Sequence, residues 1–543
     1  MLILGIADSH DASITLVENG EVLLAVSEER FTRRKMQQGF PFEAIKYAQK
    51  FIKGRRVNKI CVAGQYGRSI FRIFNGFYSK TNPQKDALSF SSRISAWLEN
   101  FFADTPIIKH IDNSLSLWAI KKSLKSAKIC YESIEFINHH CAHIRTAISG
   151  IDSDCYIAAS LDAYGDGKSG IVIKVLNGVI IEKKEISHHD SLARFYGHIC
   201  AAIGFKEGEE GKIMALADYG KKTALLGLFS SLFKIFFNNI KVNNIYRNKS
   251  FLKKIKGFKI EDVAFALQRT VENITLNFLS NFTQGINKPD LFLSGGFFAN
   301  IKVTQRLNEC ELFNRIFVFP NMGDGGLSFC SNKLMDVYLG PGYNNEEIKD
   351  VLDSENLEYT YEPEIEGKIA VLLAEGKVIA RFNGRMEYGP RALGNRSILY
   401  QTTDPKVNDW LNKKLKRSEF MPFAPVTLQE YASRCYQNID KVKYNAKFMT
   451  ISVDCTEWMK NISPAVVHVD GTARPQLIEE DDNPSYYKIL KEYHRITGIP
   501  SILNTSFNMH NEPIVCSPVD ALSTYRKARL DYLAIGKYLL KRL

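Results

Sequence analysis

The feature that most constrains the fold of this chain is a pattern of strands and turns that occurs twice. In the first copy, an apolar run at 2–7 predicts a strand, an acidic loop follows it, and two further strands flank Asn19-Gly20. The second copy has the same order, with a strand at 156–161 and a turn at Asn177-Gly178. Asn-Gly between alternating apolar runs is the strongest short-range signal of a β-hairpin. The sequence therefore predicts two related, β-rich units in the N-terminal part.

Two copies of this unit are typical of an α/β architecture, the duplicated ribonuclease-H-like fold of the actin, hexokinase and Hsp70 type, also called the ASKHA class. In such a fold the two acidic loops face each other across a cleft that holds phosphate and metal. The opposite side of the cleft needs glycine-rich strand ends, and the chain supplies Ser294-Gly295-Gly296 and, later, Asp324 between glycines. The missing side chains let the backbone approach a ligand closely. Either glycine run alone is more often a plain turn.

Two histidines and two aspartates form a candidate metal site. His139 and His143 are one helical turn apart, so a helix would place both imidazoles on one face. Asp162 ends the buried strand of the second copy, and Asp324 lies in a glycine-rich loop. Imidazole and carboxylate ligands together suit Fe(II), Mn(II) or Zn(II). The alternative is that the histidines are satisfied core residues, because a single His-x-x-x-His pattern is not specific.

Composition places the chain among globular enzymes. With 543 residues, of which 45% are hydrophobic and 24% charged, it can bury the cores of two or more domains. The ten cysteines include no Cys-x-x-Cys pair, which favours reduced thiols over a disulfide framework or a zinc ribbon. No segment is typical of a signal peptide or of a membrane-spanning helix. We therefore expect a cytoplasmic protein.

The net charge of +12 is concentrated in one segment. Residues 219–260 contain ten lysines and arginines and no acidic residue. One interpretation is a solvated insertion, because charge runs are usually exposed. The other is a surface that attracts an anionic substrate, such as a nucleotide-linked or lipid-linked sugar, or an anionic membrane. No nucleic acid partner is expected, because no RNA-binding motif accompanies the charge.

Eight sequence blocks together resemble those of the NodU/CmcH O-carbamoyltransferases. Four lie in the N-terminal part, at 4–13, 27–35, 210–220 and 293–296. Four lie in the C-terminal part, at 383–398, 422–425, 468–476 and 504–508, and read NGRMEYGPRALGNRSI, PFAP, HVDGTARPQ and NTSFN. The resemblance spans nearly the whole chain.

The resemblance implies two domains with separate tasks. Residues 1–340 would form a metal-binding carbamoyl-transfer domain, similar to the catalytic subunit of the tRNA threonylcarbamoyl transferases. Residues 341–543 would form a YrdC-like α/β domain that makes carbamoyl-adenylate from ATP and carbamoyl phosphate. The first domain would then move the carbamoyl group to a hydroxyl of a sugar or another small-molecule acceptor. Fe(II) is the expected metal and Mg-ATP a substrate, and the glycine- and proline-rich run that begins at Gly340 is typical of a domain boundary.

The resemblance also assigns roles to individual residues. His10 would be the general base on the acceptor hydroxyl, and Lys35 would stabilise negative charge. Substrate-binding roles pass to Arg391, Lys416, Arg474 and Ser506. We add Arg396, because a guanidinium can bind a phosphate through two parallel hydrogen bonds. The nucleotide and phosphate loop of the transfer domain would comprise Gly211, Lys212, Ser294, Gly295 and Gly296.

Two other classes of function remain open from the sequence. A tRNA threonylcarbamoyl-type transferase would also use His-x-x-x-His and a basic surface, but it would normally lack the attached C-terminal blocks. Binding to tRNA with a steep salt dependence would favour it. A non-catalytic sugar-binding regulator would keep the fold and lose the metal ligands, whereas all four are present in this chain.

Overall fold

The structure is a computed structural model that describes residues 1–65, 72–73, 106–150, 152–206, 208–416 and 423–542. Pro422 of the PFAP block lies outside the described residues. No described helix combines the length and the apolar character that are needed to cross a membrane.

Two five-stranded sheets carry the duplicated pattern. The first, in the order β3-β2-β1-β4-β5, contains β1 (Leu2–Ala7), β2 (Ser13–Glu18), β3 (Glu21–Ser27), β4 (Val57–Ala63) and β5 (Tyr131–Ile137). The second, in the order β12-β11-β6-β7-β8, contains β6 (Tyr156–Gly165), β7 (Lys168–Leu176), β8 (Val179–Ser187), β11 (Asp290–Ser294) and β12 (Ile316–Val318). Each sheet has three antiparallel strands followed by two parallel ones. The predicted duplicated, actin-like fold is confirmed.

The two Asn-Gly turns behave as the sequence predicts. The φ angles of Asn19 and Gly20 are 53° and 91°, and those of Asn177 and Gly178 are 52° and 72°. Positive φ at both central residues defines the type I′ turn, whose twist matches that of the flanking strands. These turns therefore fix the order of strands at the start of each sheet.

Helices cover the two sheets and connect their strands. In this part they are α1 (Glu29–Thr32), α2 (Phe42–Ile52), α3 (Pro106–Ser126), α4 (His139–Ile148), α5 (Leu192–Ala202), α6 (Glu210–Leu216), α7 (Ala224–Ser230), α8 (Lys249–Ile255), α9 (Ile260–Ser280) and α10 (Ile301–Glu309). Strands β11 and β12, which lie beneath them, are fully buried, as expected for parallel strands that are covered on both faces.

The basic segment 219–260 folds as a packed insertion. It contains α7, α8 and the hairpin of β9 (Phe233–Phe236) and β10 (Asn239–Val242). The ring of Phe195 contacts those of Phe229, Phe233 and Tyr246 edge-on, with centroids 5.0 to 5.6 Å apart. The charged residues lie on the outside of this aromatic cluster.

The C-terminal part is built on an eight-stranded mixed sheet. In the order β13-β22-β21-β14-β15-β20-β16-β19, it contains β13 (Thr360–Tyr361), β14 (Ile379–Phe382), β15 (Arg396–Tyr400), β16 (Ala424–Leu428), β19 (Gln476–Ile478), β20 (Ser501–Ser506), β21 (Tyr532–Ile535) and β22 (Tyr538–Lys541). A small separate sheet pairs β17 (Val453–Asp454) with β18 (Thr472–Ala473).

The helices of the C-terminal part pack around this larger sheet. They are α11 (Asn345–Ser354), α12 (Ile365–Ala374), α13 (Val407–Lys414), α14 (Ala432–Cys435), α15 (Lys443–Ala446), α16 (Glu457–Ile462), α17 (Pro484–Thr497) and α18 (Pro518–Ala528). This part is α/β, as expected, while its likeness to YrdC stays a prediction.

The two parts of the chain share a core. The ring of Phe317 on β12 lies 5.2 Å from that of Tyr444 on α15, and the N–H of Val318 donates to Oδ1 of Asn445 at 2.9 Å. Contacts of this kind join the two predicted domains closely. The boundary between 340 and 341 stays a prediction.

Candidate metal centre and arginine site

Helix α4 presents the two histidines. Asn138 caps the helix by accepting a hydrogen bond from the N–H of Cys141, so the helix begins at His139. His139 and His143 are fully buried and lie on the same face of the helix. Both Nε2 atoms therefore point toward the interior of the cleft.

Two aspartates complete the cluster. Asp162 lies where the pairing of β6 with β7 becomes irregular, and Asp324 begins a short turn after β12. The carboxylate oxygen of Asp162 lies 3.9 Å from Nε2 of His139 and 3.3 Å from Nε2 of His143. That of Asp324 lies 3.7 Å from both nitrogens. One ligand atom from each of the four residues lies within 4.8 Å of all the others, so the donor set fits a divalent metal.

Neighbouring groups orient these ligands. Oγ of Ser294 lies 3.0 Å from Nδ1 of His143, and the N–H of Gly296 donates to Asp162 at 3.1 Å. The N–H of Gly295 donates to the carbonyl of Met322 at 2.7 Å. The Ser-Gly-Gly run thus supports metal ligands, as outer contacts of metal sites commonly do. Its predicted role of binding phosphate stays a prediction.

The electrostatics of the cluster favour a cation. Burial opposes a charge on His143, but Asp162 and Asp324 outweigh it and raise the pKa of this imidazole to about 9. Burial also opposes the charge on Asp162, yet the two histidines hold its pKa well below its usual range. His140 differs, because burial and the neighbouring imidazoles lower its pKa to about 3. Its Nδ1 contacts Oγ of Ser160 at 2.9 Å, and it is not one of the four clustered ligand candidates.

The loop that carries His10 lies beside the metal centre. Oγ of the preceding Ser9 donates to Asp324 at 3.0 Å. Burial raises the pKa of the following Asp11 to about 6; His10 opposes this shift, and Glu29 and Asp324 add to it. The loop between β1 and β2 therefore lies against the cluster. Neither Ser9 nor Asp11 was identified from the sequence, although both lie in the first acidic loop.

Lys35 and the Gly211-Lys212 block lie on adjacent segments. Met36 follows Lys35, and Gly208 lies just before this block. Sδ of Met36 lies 3.3 Å from the position that a Cβ on Gly208 would take, so the two segments are in contact. Lys35 is exposed, and Lys212 forms an ion pair with Glu209 at 2.5 Å.

Arg391 and Arg474 form a second site in the C-terminal part. Burial lowers the pKa of Arg391 to about 10, and burial together with the charge of Arg391 lowers that of Arg474. Neither guanidinium makes a hydrogen bond or an ion pair with any of the described residues, and both Nε atoms are buried. Two adjacent, partly desolvated guanidinium groups with no counter-ion among the described residues are suited to binding an anion.

Side chains that the sequence did not reveal hold the loop of Arg391. Oε1 of Glu387 accepts hydrogen bonds from the N–H groups of Leu393, Asn395 and Arg396. Gln476 donates to the carbonyl of Leu393 at 3.0 Å, and Asn504 donates to that of Ala392 at 3.1 Å. Because the partners are backbone groups, no side-chain pattern in the sequence could have indicated these roles.

Arg396 has a different role from the one predicted. Its side chain is completely buried, and its guanidinium donates to the backbone carbonyls of Asn383, Asn395, Pro341 and Gly384. It also stacks on the ring of Phe382 at 3.6 Å. Arg396 therefore fixes the backbone and is not available to bind phosphate.

Ser506 and Lys416 lie on two segments of the C-terminal part, Ser506 at the end of a strand and Lys416 just after a helix. Ser506 ends β20 and pairs with Ser397 of β15. Lys416 is exposed, and the carbonyl of the preceding Leu415 accepts from the N–H of His510 at 3.0 Å. The loop that follows β20 thus lies beside Lys416.

Known proteins match the chain over both parts. The family model described as carbamoyltransferase N-terminus matches residues 2–330, and that described as carbamoyltransferase C-terminus matches residues 370–542. An uncharacterized protein of Methanocaldococcus jannaschii is 33% identical over 100% of both chains. Nodulation protein NolNO of Sinorhizobium fredii is 28% identical over 98% of this chain and 79% of its own. Full-length HypF in its phosphate- and nucleotide-bound form is 14% identical over 60% of this chain and 54% of its own, with a TM-score of 0.34.

Proposed function

Because this chain belongs to the carbamoyltransferase family, it is a transferase enzyme, and we propose that it acts as an ATP-dependent O-carbamoyltransferase. It makes carbamoyl-adenylate by cleaving carbamoyl phosphate with water into carbamate and inorganic phosphate and then joining the carbamate to the AMP part of ATP, with release of pyrophosphate. It then transfers the carbamoyl group to a hydroxyl of a sugar or another small molecule, and AMP leaves.

The observation that carries the proposal is the pair formed by Arg391 and Arg474. Each side chain is partly buried with its Nε atom enclosed, and neither has an anionic partner among the described residues. Bringing ATP and carbamoyl phosphate together places several negative charges close to one another. Two preorganised guanidinium groups offset this repulsion and lose little solvation when the anions arrive, because they are already desolvated.

The transfer step is assigned to the cleft between the two actin-like sheets. His10 accepts the proton of the acceptor hydroxyl while that oxygen attacks the carbamoyl carbon, a role that contributes roughly 10²- to 10⁴-fold. Lys35, near the Gly211-Lys212 block, offsets the negative charge of the AMP phosphate as AMP leaves. His139, His143, Asp162 and Asp324 would hold the metal, for which Fe(II) is our proposal, and it would supply Lewis-acid polarisation when bound.

The proposal is tested by incubating the protein with ATP, carbamoyl phosphate and a panel of sugars and glycosides. The expected result is pyrophosphate release together with an acceptor that gains the mass of one carbamoyl group in mass spectrometry. Pyrophosphate release that does not depend on carbamoyl phosphate would contradict the first step. A carbamoylated acceptor formed without ATP would contradict the adenylate.

A further inference from the structure

Apolar side chains are exposed at two places on the surface of the second actin-like sheet and its insertion. At the start of β8, residues 179–181, which are Val-Ile-Ile, are each more than half exposed. At the turn between β9 and β10, Phe236 is 55% exposed and Phe237 94%. Single exposed apolar residues are ordinary, but a contiguous group of them usually marks an interaction surface.

Two hydrogen bonds join these places into one surface. Asn238, which follows Phe237, donates with its side-chain amide to Glu182, the residue after the Val-Ile-Ile run. The side chain of Asn281, just after α9, donates to the backbone carbonyl of Phe237. The turn is therefore fixed against β8 and against the end of α9. We call the Val-Ile-Ile run and the two phenylalanines the apolar patch.

The backbone of Phe237 indicates that its ring does not serve the fold. Its φ angle is 48°, in the left-handed region that glycine and asparagine adopt readily and that a bulky side chain adopts at a cost. Packing does not offset this cost, because the residue is almost completely exposed. Strain that the surrounding structure maintains without such compensation is typical of binding sites.

Positive charge lies beside the apolar patch. Lys234 is two residues before Phe236 and so lies on the same face of β9, and Lys241 lies opposite Lys234 in the hairpin. Lys241 pairs with Asp190 at 2.9 Å, whereas the exposed Lys234 makes no ion pair with any described residue. The segment 219–260, to which the hairpin belongs, has ten lysines and arginines and no acidic residue. The apolar patch therefore borders a cationic surface.

An anionic lipid surface fits these features better than another macromolecule does. Lysine is depleted from protein–protein interfaces, whereas lysine next to phenylalanine and aliphatic side chains is typical of segments that lie on membranes. Aromatic rings can stack on the bases of a nucleic acid, but the Val-Ile-Ile run cannot. Residues 182–185, Glu-Lys-Lys-Glu, add no net charge and oppose the pairing of β8 with a strand of another chain.

We propose that the apolar patch docks the protein on an anionic lipid surface. Phe236 and Phe237 enter the boundary between the head groups and the acyl chains, and Lys234 contacts lipid phosphates. The Val-Ile-Ile run rests against the same boundary. This inference goes beyond carbamoyl transfer and does not depend on it. It assigns the basic segment, whose role the sequence left open, to the binding of a membrane.

Sedimentation of the full chain with lipid vesicles tests the inference. The protein should bind vesicles of phosphatidylcholine and phosphatidylserine at low salt, and much less to phosphatidylcholine alone. Added salt should weaken the binding, because it screens the lysines. Phe237→Asn should lower the partition coefficient at least about tenfold, the effect of removing one large apolar side chain from the bilayer. Its thermal stability should not fall, because asparagine adopts this φ readily.

Two exposed residues of the C-terminal part provide matched controls. Tyr361→Asn removes an exposed aromatic ring and should leave the vesicle binding unchanged. Lys234→Gln should weaken binding to the mixed vesicles about fivefold and should not affect the neutral ones. Lys368→Gln on α12 is its control, because this lysine is also exposed and makes no ion pair within the described chain.

The inference is overturned if the protein does not sediment with the mixed vesicles at low salt, or if Phe237→Asn binds them as tightly as the wild type. A dimer that Phe237→Asn converts to a monomer in the absence of lipid would also overturn it, since the apolar patch would then join two copies of the chain. ATP–pyrophosphate exchange judges the proposed function separately, and Phe237→Asn should keep the wild-type rate.

Discussion

The hydroxyl of Tyr388 donates a hydrogen bond of 2.7 Å to the backbone carbonyl of Gly325. Gly325 follows the metal-ligand candidate Asp324, and Tyr388 precedes Arg391 by three residues. The loop from Tyr388 to Arg391 is also held by Arg30, whose guanidinium donates to the carbonyl of Gly389 at 2.9 Å. The candidate metal centre and the arginine site are thus linked through a few buried groups.

Tyr388→Phe should therefore weaken both sites at once. The variant leaves the buried carbonyl of Gly325 without this donor, at a cost of about 1–3 kcal/mol in the free energy of unfolding. We expect lower metal affinity and slower ATP–pyrophosphate exchange, measured by metal titration and isotope exchange. The exposed Tyr361 offers the control, since Tyr361→Phe should change neither quantity. If Tyr388→Phe changed only one of the two sites, the hydrogen bond between Tyr388 and Gly325 would not couple them.

Arg474→Ala and His143→Ala should separate the two steps. Loss of one guanidinium from the anion site should lower ATP–pyrophosphate exchange by about 10²- to 10³-fold, the usual cost of removing a preorganised donor. His143→Ala should keep this exchange and block carbamoylation of the acceptor. Arg495→Ala is the control for the first change, because its side chain is exposed and pairs with Glu492 on its own helix. Equal loss of exchange in both variants would contradict the division into two sites.

We predict that each chain binds about one metal ion through four side chains. His139→Ala removes one ligand and should reduce the metal affinity by at least about 10- to 100-fold, the cost of losing even an outer contact. Elemental analysis after gel filtration measures the content. His189→Ala, which changes an exposed histidine away from the cluster, should keep the wild-type content. Unchanged metal in His139→Ala would place the ion elsewhere.

The titration of Glu28 should make the free energy of unfolding fall as the pH rises. Burial raises its pKa to about 7 from the usual 4.5, although its carboxylate accepts hydrogen bonds from the N–H groups of Glu43 and Ala44. Between these two values the folded state holds a proton that the unfolded state has lost. The contribution of this group to the free energy of unfolding therefore decreases by up to about 3 kcal/mol between about pH 4.5 and 7. Above about pH 7 it stays constant.

Glu28→Gln provides the comparison for this pH dependence, because the amide is neutral at every pH and keeps one oxygen acceptor. Urea unfolding at several pH values should show that the variant gains stability relative to the wild type as the pH rises through this range. A difference between the two proteins that is constant with pH would show that Glu28 does not titrate as expected.

Several features of this protein follow from local sequence alone. The Asn19-Gly20 and Asn177-Gly178 turns specify their own backbone conformation, so the duplicated strand pattern could be predicted from them. The spacing of His139 and His143 likewise determines that they share a helix face. In these cases the responsible contacts are near in sequence, and the residue types limit the alternatives.

The remaining features depend on contacts between distant segments, which no short pattern encodes. An isolated arginine fits a phosphate or a backbone carbonyl equally well. Only the folded chain shows that Arg396 bonds carbonyls, while Arg391 and Arg474 make no side-chain hydrogen bond to the part of the chain that the structure describes. A cavity of about 350 Å³ that is lined by Asp218 and Asp454 likewise exists only after these residues are brought together from distant parts of the chain. The sequence by itself determined the fold class and predicted four metal-ligand candidates, which the fold brings together. The tertiary structure decided which charges have partners, because pairing and desolvation depend on what packs around each group.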